Sequence, residues 1–273
     1  MKSSFVVIFL FVSFSIFAQS PWTQEKGKVY TQLSFTSISN YDTLFGDPDY
    51  SAPGDITDNT IQFYGEYGLS NKTSLLVNLP LKLISIDAFE NSSNPDFNTT
   101  ALGNIEIGVK HNFMKKDWLL SGQFSVEANT ATYNSNSGIR TGYDAFTFTP
   151  LILAGKSFSK TYIQTFLGAN IRTNDYSSNL KLGGEVGYKI SNHIWLVGFL
   201  DIVKSLENGA IQLPVENILN GLYVNDQEYG AFGFKGIGEI TDTFGVSASI
   251  GGAFFGNNVA KQAALSVGIY QKF

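Results

Sequence analysis

Polar and apolar residues alternate one by one along many separate segments of this chain. In the stretch ALGNIEIGVKHNF, Ile105, Ile107 and Val109 occupy odd positions, and Glu106 and Lys110 occupy even ones. A helix would spread such residues around all its faces, whereas a strand places them on two opposite faces. The pattern therefore predicts a strand with one apolar face and one charged face.

Such segments recur at a length of about 10 to 13 residues, which is what a tilted strand needs to cross a bilayer. Pro80 and Pro150 fall inside two of them, where the missing N–H predicts a local bulge. After the first twenty residues no run of 18 apolar residues occurs, so any membrane crossing must be made by strands. Twelve strands are predicted, at 28–38, 60–69, 73–84, 102–113, 117–128, 144–156, 161–172, 180–190, 193–204, 227–239, 243–254 and 262–273.

The connections between these strands alternate between short and long. Bacterial outer-membrane barrels have short periplasmic turns and longer extracellular loops, whereas nothing in a soluble β-sandwich forces this alternation. The pattern favours an all-β fold, a transmembrane antiparallel up-and-down β-barrel of about twelve strands, over a secreted soluble β-protein. The predicted turns are 70–72, 114–116, 157–160, 191–192 and 241–242, and the predicted loops are 39–59, 85–101, 129–143, 174–179, 205–226 and 255–261.

The composition fits a protein that is apolar outside and polar inside. Charged residues make up 15% of the chain, below the roughly 25% of ordinary soluble domains. Closing the sheet pairs every backbone group within the membrane and places the polar face in the lumen. There, the opposite charges of Glu106 and Lys110 are predicted to help balance each other and neighbouring strands. The predicted lumen-lining residues are Gln62, Glu66, Lys82, Glu106, Lys110, Glu127, Arg172, Lys181, Glu185, Lys189, Lys235 and Glu239.

The N-terminal segment has the pattern of an export signal. Lys2 precedes an apolar run from Phe5 to Phe17, which predicts a signal peptide over residues 1–18. Residues 19–27 would then form a short periplasmic arm, too short for a folded plug, before a single barrel domain at 28–273.

The C-terminal strand, 262–273, alternates and ends in an aromatic residue. It resembles the assembly signal of bacterial outer-membrane proteins, which implies the barrel-assembly machinery as a partner. These features predict the outer membrane of a Gram-negative bacterium as the location, with its lipids as neighbours. Aromatic side chains prefer the membrane interface, and four are predicted to lie there: Trp22, Trp118, Trp195 and Phe273.

Two stretches carry a family resemblance, TSLLVNLPL and LGNIEIGVKHNF. They are similar to strands of the outer-membrane barrels grouped under the meta-pathway of phenol degradation. In the second stretch Gly103, Gly108, Lys110 and His111 fall in partly matching places, whereas Asn104 stands where an Asp is usual. The resemblance implies a barrel that helps to take up small molecules.

Catalytic and metal-binding motifs do not match. A Ser nucleophile needs a placed general base. The outer-membrane phospholipase family, which the chain resembles in strand number, has a Ser two residues after its His, whereas His111 is followed by Asn112 and Phe113 and His193 by Ile194 and Trp195. The acidic loop FGDPDYSAPGDITDN, 45–59, offers carboxylates to calcium, but its spacing does not fit an EF-hand, and a solvated loop is the simpler interpretation. We therefore predict no catalytic residue, metal or cofactor, and a net charge of −5 without a basic stripe argues against nucleic acid.

Three functions remain open. The first is a channel for passive or facilitated uptake of small solutes, apolar ones among them, because twelve strands lie between filled eight-stranded barrels and open porins. The loop 205–226 is unusually apolar, and it is expected either to fold inward as a lid or to pack on the rim or on a partner. The second function is a non-transporting barrel that anchors a partner. The third, disfavoured by the missing triad, is an enzyme that acts on lipids.

Overall fold

The computed structural model describes residues 19–87 and 97–273; the signal peptide predicted at 1–18 lies outside this part of the chain. The described part contains one short helix, α1 at Val215–Asn220, and no helix in it is long and apolar enough to cross a membrane. The strands are β1 Val29–Phe45, β2 Tyr50–Ser70, β3 Thr73–Ile86, β4 Phe97–Leu102, β5 Glu106–Lys115, β6 Leu119–Glu127, β7 Tyr133–Asn134, β8 Ile139–Arg140, β9 Thr147–Ser157, β10 Thr161–Arg172, β11 Asn179–Ser191, β12 Ile194–Ser205, β13 Glu228–Glu239, β14 Phe244–Asn257, β15 Val259–Ala260 and β16 Ala263–Lys272.

The wall is a closed antiparallel barrel with twelve strand paths. Each path pairs with its neighbours in sequence, β4 and β5 together form one path against β3, and the β7–β8 hairpin lies in the connection between β6 and β9. The ring closes because β16 pairs with β14 on one side and with β1 on the other. The predicted fold class is therefore confirmed.

A proline explains the break between β4 and β5. Pro80 lies in β3 opposite this break, and it has no N–H to donate to the next strand. Residues 103–105 leave the ladder there, although the Gly103 N–H still donates to the Pro80 carbonyl at 2.8 Å. The Asn104 side chain turns inward and donates to the Tyr143 carbonyl at 3.0 Å. The bulge predicted at Pro80 is present, whereas the prediction of a bulge at Pro150 is wrong, because β9 pairs with β6 through Pro150 without a register shift.

The outer face of the wall is apolar. Ile107, Ile152 and Phe234 are 56%, 62% and 64% exposed, whereas the charged side chains of Lys110 and Lys235 are buried inside. This polarity is the reverse of a soluble sheet, and it is stable in hydrocarbon because the closed ladders satisfy the backbone.

The two ends of the barrel differ. We call the end with the five tight turns the turn end and the opposite end the loop end. At the loop end β1 and β2 run further than predicted, so the acidic segment 45–59 is mostly strand, and the prediction of a solvated loop is wrong for 50–59. Asp58 is buried and forms an ion pair with Lys82. The extension is held by a buried apolar cluster that includes Leu44 and Ile56.

Candidate functional site: the barrel lumen

The structure places all twelve predicted lumen residues on the inner side of the wall. Four of them, Gln62, Glu106, Glu127 and Lys181, line a central cavity of about 150 Å³. Most of the others join in ion pairs. Lys82 pairs with Asp58 on the adjacent strand, whereas three pairs reach across an intervening strand: Lys110–Glu66, Lys235–Glu185 and Lys189–Glu239.

Two buried ion pairs are each completed by a tyrosine. Lys110 Nζ lies 3.0 Å from Glu66 Oε2, and the Tyr64 hydroxyl donates to the same oxygen at 3.1 Å. Further round the wall, Lys235 donates to Glu185 Oε2 at 2.7 Å, and the Tyr162 hydroxyl donates to Glu185 Oε1 at 2.8 Å. A buried charge is tolerated when it lies next to an opposite charge and accepts or donates further hydrogen bonds. These groups therefore fix the inner wall without adding net charge to the lumen.

The prediction that the charges of Glu106 and Lys110 balance each other is wrong about the partner of Lys110. Lys110 pairs with Glu66 of β2, whereas Glu106 lies directly opposite Glu127 and accepts from Asn78 at 3.4 Å. Periodicity assigns residues to a face, but it does not give the register between strands, so the true partner is not readable from one strand.

One side of the lumen is apolar, which the sequence reasoning missed. Leu151, Leu153 and Phe166 form a buried cluster on β9 and β10, and Val197 and Phe199 are buried on β12. These strands carry apolar residues on both faces, so they alternate less clearly than the others. The lumen is thus amphipathic rather than uniformly polar.

The arm lies inside the turn end of the lumen, whereas it was expected in the periplasm. Lys110 Nζ donates to the Ser20 carbonyl at 3.0 Å, and the Ser121 hydroxyl donates to the Pro21 carbonyl at 2.5 Å. Gly155 provides the space, because a Cβ there would come within 2.6 Å of Pro21 and 3.0 Å of Trp22. Side chains of the wall thus hold the arm by hydrogen bonds to the backbone carbonyls of the arm.

Two of the predicted interface aromatics point inward. Trp22 packs edge-on against Tyr162, with ring centroids 6.0 Å apart, and Trp195 lies 5.5 Å from the same ring. Trp118 and Phe273 lie outside, 45% and 63% exposed. The prediction of an outer girdle is therefore wrong for Trp22 and Trp195.

These rings surround a chamber of about 340 Å³ at the turn end, which we call the aromatic chamber. Tyr30 and Tyr64 complete its wall, together with Glu66, Glu185 and Lys235. Glu66 Oε1 is buried without a hydrogen-bond partner. An unsatisfied buried acceptor is costly, so a bound group with an N–H or O–H would relieve it.

A cap folds over the loop end. Arg140 Nε donates to Asn217 Oδ1 of α1 at 2.6 Å, and Asn217 donates to the Leu222 carbonyl at 2.8 Å. The next residue, Tyr223, faces a cavity of about 400 Å³ beneath the cap, with Lys82 5.5 Å from its ring centroid. Of the arrangements expected for loop 205–226, the structure has the inward fold.

Three tyrosines make the underside of this cap. Tyr143 packs edge-on against Tyr176 and Tyr223, at 5.3 and 5.4 Å between ring centroids, and Arg172 stacks on Tyr143 at 3.9 Å. Burial raises the pKa of Tyr143 to about 12, although Arg172 opposes the shift. Burial also raises the pKa of Tyr176 and of Tyr223.

A hydroxyl and a histidine meet on the outer face. The Thr73 hydroxyl lies 2.9 Å from His111 Nδ1, across the β3–β5 pairing. The sequence reasoning overlooked this contact because the two residues are 38 positions apart. In the described residues the hydrogen bonds of His193 involve its backbone, whose N–H donates to Ser191 Oγ and whose carbonyl accepts from the Glu239 N–H. No cluster of His, Asp and Glu suited to a metal occurs in this part of the chain.

A closed wall with an apolar exterior, buried internal ion pairs and a chain of inner cavities defines a transmembrane β-barrel. No family model matches the chain, and no curated protein matches it in sequence. In fold it is similar to the COG4313 outer membrane channel from Pseudomonas putida F1, with a TM-score of 0.70 and 15% identity over 92% of this chain and 98% of that chain.

Two further solved structures share the architecture. The translocator domain of the autotransporter NalP from Neisseria meningitidis has a TM-score of 0.54 and 12% identity, over 91% of this chain and 90% of that chain. The KdgM porin has a TM-score of 0.51 and 8% identity, over 90% of this chain and 99% of that chain. At these identities the likeness shows a common outer-membrane barrel fold.

Proposed function

We propose that the chain is an outer-membrane channel for the passive or facilitated uptake of small solutes in a Gram-negative bacterium. The observation that carries the proposal is a closed, apolar-walled barrel that encloses a series of cavities from the aromatic chamber to the cap. The fold shared with an outer membrane channel and a porin supports it.

The lining favours small solutes that are largely apolar and carry a hydrogen-bond donor. The charged residues beside the aromatic chamber form ion pairs. They therefore carry no net charge that would disfavour a neutral solute. Aromatic rings and the patch around Leu153 supply apolar contact, while Glu66 Oε1 supplies a free acceptor. Selectivity in channels is set by the residues that line the pore and by the width of the pore. Here the small cavities limit the size of the solute.

The arm narrows the passage. Gln19 borders the central cavity and Ser20, Trp22 and Gln24 border the aromatic chamber, so the arm separates the two spaces. A solute that crosses the barrel must pass between the arm and the wall, or the arm must move.

Purified protein in planar bilayers and in liposomes tests the proposal. We expect small single-channel currents and faster solute influx than in empty liposomes, and a larger conductance when residues 19–25 are deleted. Lys204→Gln, an exposed change on the rim, serves as the control and should leave conductance unchanged. If neither the full chain nor the deletion variant passes ions or solutes, the channel is disproved and the partner-anchoring barrel is favoured.

We further propose that the chain is not an enzyme. Thr73 and His111 lack an orienting carboxylate or amide in any hydrogen bond of the described chain, and such a third group is needed to hold the imidazole of a catalytic triad. Purified protein should not hydrolyse phospholipid. Hydrolysis that disappears in Thr73→Ala would overturn this.

A further inference from the structure

Lysines are distributed unevenly between the two ends of the barrel. At the loop end the exposed Lys204 and Lys261 are each paired with an acidic residue, Glu228 and Asp49 respectively. At the turn end, none of the lysines outside the lumen forms an ion pair within the described chain. These are Lys26, Lys28, Lys72, Lys115, Lys116, Lys156, Lys160 and Lys272. The acidic side chains without an ion pair at this end, Glu25, Asp117 and Asp242, are fewer than these lysines, so the turn end of the described chain presents a rim with an excess of positive charge.

Four of these lysines are concentrated in one sector. Lys115 and Lys116 lie where β5 turns into β6, and Lys156 and Lys160 lie where β9 turns into β10. The two turns are adjacent because Leu119 of β6 pairs with β5 on one side and with β9 on the other.

Aromatic side chains stand among these lysines. Lys156 Nζ lies 5.9 Å from the ring centroid of Trp118 and 5.4 Å from that of Phe158. Both rings are about half exposed on the outer side of the wall. We call Lys115, Lys116, Lys156 and Lys160, with these two rings, the lysine–aromatic cluster.

The cluster lies where the apolar wall ends. Ile152 and Phe124 are outward, 62% and 52% exposed, on the same two strands, β9 and β6. Hydrocarbon chains that contact these residues would bring their headgroups to the level of Lys156. Long lysine side chains extend from apolar surface to reach such a polar level.

We propose that the lysine–aromatic cluster binds the headgroup of an anionic phospholipid in the leaflet at the turn end, with the acyl chains along β6 and β9. Juxtamembrane lysines attract anionic lipid, and the contacts with Trp118 and Phe158 hold Lys156 Nζ near the two rings at the edge of the apolar wall. Continuity with the apolar wall favours a lipid over an acidic protein segment, which would need no such wall. The inference does not depend on whether solutes pass through the lumen.

Native mass spectrometry of the purified full chain in detergent, titrated with phosphatidylglycerol or phosphatidylcholine, tests the inference. We expect preferential binding of phosphatidylglycerol. The variant K115Q/K116Q/K156Q/K160Q should bind phosphatidylglycerol at least about tenfold more weakly, because each lysine near an anionic surface contributes about fivefold. The matched control K26Q/K28Q/K72Q/K272Q removes the same charge from the same end and should retain most of the affinity.

Several results would overturn the inference. Equal losses in both quadruple variants would mean that the rim acts only through its total charge. Equal binding of the two lipids, or binding of polyglutamate in preference to phosphatidylglycerol, would point away from a lipid site. Heat-modifiable migration in gels verifies that both variants are folded, so loss of binding cannot be attributed to unfolding.

Discussion

Lys110 connects the wall to the arm through a single buried ammonium group. Its side chain has no exposed surface, and it donates both to Glu66 and to the Ser20 carbonyl. In Lys110→Met the Glu66 carboxylate would be left buried without its cation. We expect the free energy of unfolding to fall by about 3 to 5 kcal/mol, measured by urea unfolding of the barrel in lipid vesicles.

The double variant Lys110→Met/Glu66→Gln separates the ion pair from the packing. It removes both charges of the ion pair, so no buried carboxylate is left without a cation. We therefore expect the double variant to be considerably more stable than Lys110→Met. If the single and double variants are equally unstable, the loss comes from the shape of the side chain, and the interpretation of Lys110 as a charge partner is wrong.

Assigning a residue to a face is easier from sequence than assigning its partner. The alternation in ALGNIEIGVKHNF assigns Glu106 and Lys110 to one face, and such an assignment needs only the hydrocarbon on one side of each strand. It could not reveal Glu66 as the partner of Lys110, since 44 residues separate them and the register depends on the whole sheet. Trp22 shows the same limit, because its place inside the barrel depends on the absence of a side chain at Gly155.

The cap over the loop end should respond to alkaline pH. Tyr143, Tyr176 and Tyr223 are buried together, and the pKa of Tyr143 is raised to about 12. A phenol whose folded pKa lies above its unfolded value of about 10 stabilises the fold fully below pH 10, and this stability is lost as the pH rises through 12. We expect the cap to loosen between pH 10 and 12, seen as loss of the near-ultraviolet circular dichroism of these rings.

Tyr143→Phe provides the comparison for the alkaline transition. It removes the hydroxyl, which donates to Gln227, and keeps the ring, so the transition should shift to higher pH or become smaller. The tyrosinate absorbance should lose one late-titrating group. An unchanged transition would place its origin in other tyrosines and outside the cap.

Strand positions were predictable, and strand ends at the loop end were not. Inside the membrane, alternation is enforced by lipid on one side, and all twelve wall strands were found within a few residues. Beyond the membrane, β1 and β2 continue because Tyr41, Leu44 and Ile56 pack on one another and on Leu222 of the cap. That packing joins residues from distant parts of the chain, so the stretch 39–59 looked like a loop in isolation.

β16 closes the barrel, and Phe273 follows it as the last residue of the segment that resembles an assembly signal. The backbone of Phe273 exchanges hydrogen bonds with Val29, at 2.9 and 3.2 Å, while its side chain is 63% exposed on the outer face. The backbone bonds survive truncation of the ring, so Phe273→Ala should change the free energy of unfolding by about 0.5 kcal/mol or less. The ring therefore contributes little to the finished barrel.

If the ring is read by the barrel-assembly machinery, Phe273→Ala should lower the amount of folded, heat-modifiable protein in the outer membrane several-fold while refolding of purified chain into detergent stays normal. Phe234→Ala is the matched control, because Phe234 is 64% exposed on the same outer surface but lies within β13. An equal decrease for both variants would show that lost contact with lipid accounts for the effect. A decrease confined to Phe273→Ala would show that the ring is needed for assembly of the barrel in the membrane and contributes little to its stability once folded.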